Sequence, residues 1–152
     1  ASSGQMEGDN GDTLVNSGLV TTSELGIACL DTLSGPGCTL INAPGGLIHS
    51  QTLSYGPAGP PRGVVGTALM GGAGDDTLIN QGTLDAPHAV VMNTRADSFV
   101  NTGSVSGANG SGGLLSLGVF STIPLDEAGA DTIVNHGTIG GPVNLGDGDD
   151  SV

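Results

Sequence analysis

GGAGDDTLINQGTL, residues Gly71–Leu84, supports two readings. Its first nine residues fit the glycine-rich nonapeptide G-G-x-G-x-D-x-U-x that holds calcium in β-rolls. Its last nine, Asp76–Leu84, read instead as a structural module: Asp-Thr-aliphatic-aliphatic-Asn-x-Gly-x-aliphatic. The rest of the chain decides between them. The module recurs as DTLVNSGLV (Asp12–Val20), DSFVNTGSV (Asp97–Val105) and DTIVNHGTI (Asp131–Ile139). A looser copy, CTLINAPGGL (Cys38–Leu47), has Cys in the Asp place and an added residue before Leu47, its closing aliphatic. Modules begin at 12, 38, 76, 97, 131 and 150, at intervals of 26, 38, 21, 34 and 19. The shortest interval is 19 and the longest twice that, so the unit is a coil of about 19 residues with loop insertions. Candidate insertions are 22–37, 49–63 (with the Pro-rich SYGPAGPPRG) and 106–113.

Period-two alternation broken by glycines, in so short a repeat, predicts an all-β fold: one parallel β-helix (β-solenoid) over residues 1–152. Each coil then lies about 4.8 Å above the last. Counting from the Asp as zero, +2 (Leu14, Leu40, Leu78, Phe99, Ile133) points into the core and +8 returns an aliphatic residue to it. At +4 stands Asn in every copy: Asn16, Asn42, Asn80, Asn101 and Asn135. Stacked asparagines can hydrogen-bond amide to amide along the axis, which satisfies buried polar groups repetitively. The +6 glycines (Gly18, Gly82, Gly103, Gly137) are expected to supply a positive φ at the corner. Position +3 is β-branched and aliphatic throughout: Val15, Ile41, Ile79, Val100 and Val134. Alternation points it outward, so it is either covered by the inserted loops or a surface for lateral contact.

Composition agrees. Glycine makes up 29 of 152 residues, and β-branched and turn residues dominate the remainder. Fifteen acidic residues face two arginines, Arg62 and Arg95, for a net charge of −13. Such a surface repels phosphate backbones and anionic membranes, which argues against nucleic-acid binding. No apolar run is long enough to span a bilayer, and no signal peptide is visible, so any export signal lies outside this sequence. Cys29 and Cys38 flank LDTLSGPG; either a local disulfide staples that loop, as in an oxidising compartment, or both are buried thiols.

The stretches GDDTLINQGTL, GADTIVNHGTI and GPVNLGDGDDSV resemble the passenger β-helices of bacterial autotransporters and related large surface adhesins. The resemblance covers about half the chain directly and the rest through spacing. It implies a stalk or adhesive scaffold, secreted or at the bacterial cell surface, meeting host or neighbouring-cell ligands through its loops. A fold of this kind carries unrelated functions. The repeats of that family share no catalytic residues, so none is carried over. A phage tail-fibre or tailspike solenoid is the other origin the pattern fits.

The ends suggest self-association. Asp150-Ser151-Val152 is the first third of a module, and joining it to ASSGQM puts Ser2 in the Asn place, Gly4 at +6 and Met6 at +8. On that reading the chain is one period of a tandem array, or subunits stack end to end. For chemistry, calcium is the strongest candidate, at Asp9, Asp75, Asp147 and Asp149 in the turns. Stacked carboxylates repel by about 0.9 kcal/mol in water and about 3.5 kcal/mol at an effective dielectric of 20. A cation can screen them, or each can cap turn amides with no ion. An RTX-like calcium segment is therefore one alternative function. A polysaccharide-degrading β-helix is the other, disfavoured because the chain has no Lys, no Trp and one Tyr with which to build a base or a sugar platform. No enzyme activity, required cofactor or zinc site is expected.

Overall fold

In the computed structural model, residues 2–3, 6–23, 25–30, 35–51, 66–92, 95–106, 113–116, 129–145 and 148–152 are described. They form a parallel β-helix of three sheets with no helix among them. The module itself supplies two of the sheets. Its Thr–Asn segment gives β3 (Thr13–Asn16), β6 (Thr39–Asn42), β9 (Thr77–Asn80), β12 (Ser98–Asn101) and β15 (Thr132–Asn135), stacked in that order. Its closing segment gives β1 (Ser2–Ser3), β4 (Leu19–Thr22), β7 (Leu47–Ser50), β10 (Thr83–Asp85), β13 (Ser104–Ser106) and β16 (Thr138–Ile139). The third sheet has no common motif: β2 (Met6–Gly8), β5 (Leu25–Cys29), β8 (Thr67–Met70), β11 (His88–Met92), β14 (Gly113–Ser116) and β17 (Val143–Asn144).

All pairings are parallel, and like positions meet: Leu14, Leu40, Leu78, Phe99 and Ile133 align strand to strand. From Leu40 to Ile133 this row is buried, as is the +8 row of Val20, Ile48, Leu84 and Val105. Ile27, Leu69 and Val90 add the third wall. Each fully buried aliphatic side chain contributes on the order of 2 kcal/mol, so the core is three continuous apolar columns.

Register corrects four readings. Ile48, not Leu47, aligns with Val20 and Leu84, while Leu47 aligns with Leu19 and stays exposed. The second corner therefore holds two extra residues, and the next aliphatic closes the module. β6 pairs directly with β9 and β7 with β10, so the 38-residue interval from Cys38 to Asp76 is one coil and not two. Leu25–Cys29, inside the presumed insertion 22–37, is strand β5; 52–65 and 107–112, most of the other two insertions, lie outside the described residues. Finally, Ser2 pairs with Val20 and Met6 with Ile27. Ser2 thus stands at +8 and Met6 in the third sheet, so the opening residues do not complete the last module in the register read from sequence.

Candidate functional site: the aspartate and asparagine corners

The polar residues of the module meet at two corners. At the first, Asp76, Asp97 and Asp131 are buried, and each Oδ1 accepts the backbone N–H at position zero of the coil before it. Cys38 N–H donates to Asp76 at 2.6 Å, Asp76 to Asp97 at 2.8 Å, Asp97 to Asp131 at 3.0 Å and Asp131 to Asp150 at 2.9 Å. Asp76 Oδ2 also accepts the Gly72 N–H of its own turn. Capping is therefore what these carboxylates do, and the caps tie one coil to the next. Burial foremost pushes Asp97 up to about 8, helped by the charges of Asp76, Asp131 and Asp75 and opposed by the Asp76 N–H.

At the second corner the asparagines form an unbroken ladder. Nδ2 of Asn16, Asn42, Asn80 and Asn101 donates to Oδ1 of the next at 2.8, 2.9, 2.8 and 2.8 Å, ending on Asn135. Oδ1 also accepts the +6 amide in three coils, from Gly18, Gly103 and Gly137. Three of the four +6 glycines, Gly82, Gly103 and Gly137, are needed for a different reason from the one expected; at Gly18 a Cβ would meet nothing within 4 Å. Positive φ occurs at Gly11, Gly45, Gly66, Gly148 and Arg95, not at +6. A Cβ on Gly103 would lie 2.1 Å from the carbonyl oxygen of Gly82, and one on Gly137 equally close to that of Gly103. Axial approach between coils excludes the side chain.

The other predicted site residues are distributed as follows. Cys29 and Cys38 form a disulfide with Cα atoms 6.0 Å apart, and both are buried rather than out on a loop. Their sulfurs and Asp76 make up the one group of three potential metal-ligating side chains in mutual reach among the described residues. Because the sulfurs are bonded to each other, it reads as a staple. Asp9, Asp75 and Asp149 are exposed and belong to no such group; Asp147 lies outside the described residues. The +3 residues align in one outward column, with Val15 and Val134 exposed and Ile41, Ile79 and Val100 half-buried. In the third sheet β5 and β11 are covered on both faces: Ala28 and Val91 are fully buried beside core-facing Ile27 and Val90.

Two features were not found from sequence. His49 Nδ1 lies 2.8 Å from Asp85 Oδ2, the two being adjacent on the outer face of β7 and β10. Thirty-six residues separate them, and only strand register reveals the pair. Arg95 takes φ 77°, where glycine is favoured, and places Nη1 3.7 Å from Asp75. His88, half-buried in β11, has its pKa lowered by burial. The chain matches no known protein family, no curated protein and no solved structure.

Proposed function

We propose that this chain is a load-carrying segment of a secreted or cell-surface bacterial solenoid, a stalk, adhesive scaffold or filament unit, that extends by axial stacking. The observation that supports it most is the pair of one-directional hydrogen-bond columns. Coil donates to following coil through Asn Nδ2 from Asn16 to Asn101, and through the position-zero N–H from Cys38 to Asp131. A structure whose coils bond only to their neighbours gains stability with each coil added. Among the described strands, β1, β2, β3, β16 and β17 each pair on one side only. Such edges bind further strands, so in this proposal they meet more solenoid: another stretch of the same chain or a second copy end to end. Lateral joining through the Val15–Val134 column belongs to the same reading. The acidic, lysine-free composition and the disulfide favour an oxidising, extracellular setting.

Sedimentation velocity of the chain at micromolar concentration, with calcium and then with EDTA, tests the proposal. Rod-like species growing with concentration in both buffers are expected. A monomer throughout would refute end-to-end assembly of this segment, and polymers only in calcium would move the turn aspartates from caps to ion ligands.

A further inference from the structure

The aspartate corner has one member whose hydrogen bonds do not close. Asp76, Asp97 and Asp131 follow one another in β-register at 1–2% exposure. Each spends Oδ1 on the preceding coil, and Asp76 spends Oδ2 on Gly72. Asp97 Oδ2 is buried and has no hydrogen-bond partner.

Its charged surroundings are one-sided. From the β9 turn Asp75 and Asp76 face it, and from the β15 turn Asp131 does. Asp150 lies one coil beyond Asp131. The cation of its own turn, Arg95, has Nη1 near Asp75, and its Nε is buried without a hydrogen-bond partner. On the far side of Asp76 stand Cys38 and Cys29, which as a disulfide do not titrate. Asp97 is thus the middle carboxylate of three, with a carboxylate about 4.8 Å above and below. A proton on Oδ2 removes its charge while Oδ1 goes on accepting the Asp76 N–H.

We propose that Asp97 is held as the neutral acid and makes this corner a pH-sensitive clasp, tightest in acid and progressively loosened as pH rises toward the range in which its proton leaves. Proton loss leaves a buried, unpaired charge between two others, and the coils that must separate to admit water are those of β9, β12 and β15. The sign follows from linkage. The folded-state pKa of about 8 lies far above the ordinary 3.8, so the unfolded chain releases this proton first as pH rises. The Asp97 contribution is complete below the ordinary value, falls as pH rises toward about 8, and is constant above. Across that window the folding equilibrium constant drops by about tenfold per pH unit for one such group.

The test compares thermal unfolding of the wild-type chain and of Asp97→Asn between about pH 5 and pH 9, with a carbon-13 NMR titration of the aspartate carboxyls in the folded wild type. A wild-type Tm that falls with rising pH, a flatter Asp97→Asn profile, and one buried carboxyl titrating near 8 are expected. Parallel profiles for the two proteins, or every carboxyl titrating below about 5, would overturn the proposal. If Asp97→Asn does not fold, the wild-type NMR titration decides alone.

Discussion

Removing the Asn80 side chain tests the ladder at its centre. Asn80 is fully buried; its Oδ1 accepts from Asn42 at 2.9 Å, and its Nδ2 donates to Asn101 at 2.8 Å and to the Ser104 carbonyl at 3.2 Å. Asn80→Ala deprives Asn42 of its axial acceptor and Asn101 of its axial donor. Each keeps a weaker bond, Asn42 to Gly46 and Thr83 at 3.2 Å and Asn101 from Gly103 at 3.2 Å. Leaving a buried polar group short of a partner costs about 1–3 kcal/mol, so two partly compensated groups and a small void cost roughly 3 kcal/mol. In a chain of this size that lowers Tm by about 6–12 °C. Asn16→Ala, at the end of the ladder, breaks one axial bond and should cost about 1 kcal/mol, or roughly 2–4 °C. Asn80→Asp keeps shape and acceptor but sets an oxygen against Asn101 Oδ1, and should be no milder than Ala. Thermal unfolding followed by far-UV circular dichroism at fixed pH measures all three. Equal effects at positions 16 and 80, or a benign Asn80→Asp, would refute a directional ladder.

Gly103→Ala should be far more damaging than Gly18→Ala, because the new Cβ meets the Gly82 carbonyl at 2.1 Å in one case and nothing within 4 Å in the other. Urea midpoints should show a loss of about 3 kcal/mol against a change within about 0.5 kcal/mol. Calcium at millimolar concentration should move Tm by less than about 1 °C relative to EDTA. A site occupied at a hundredfold its Kd would instead add about 2.7 kcal/mol, which a melting curve readily resolves.

Much of this fold is legible in the sequence because a solenoid reuses one environment. Positions zero, +2, +4, +6 and +8 each sit on the same position of the next coil, so Asp, Leu, Asn, Gly and an aliphatic recur and can be aligned by eye. The third sheet carries no such signature. Its strands LGIAC, TALM and HAVVM are covered on both faces, so any well-packed apolar set serves and alternation disappears. Corners of unequal length explain why the sequence alone points to Leu47 as the closing residue in place of Ile48. Gly82, Gly103 and Gly137 are visible in the sequence, but their cause is not: a clash with the coil below belongs to no single copy of the motif. Likewise His49 and Asp85 look unrelated until β7 and β10 are laid side by side.

The one break in the aspartate column comes at Cys38, and the local bonding there differs from that of the other coils. Cys38 stands where the other coils have Asp, so nothing from the second coil caps the N–H of Asp12 as Asp76 caps that of Cys38. Asp12 instead turns inward on its own loop, its N–H bonding the Asp9 carbonyl at 2.9 Å and its carboxylate accepting the Asp9 N–H at 3.1 Å. At this missing cap Cys38 is bonded to Cys29, the last residue of the preceding coil's β5, through the core. A covalent staple across the β5–β6 connection thus stands at the place where the carboxylate cap is absent.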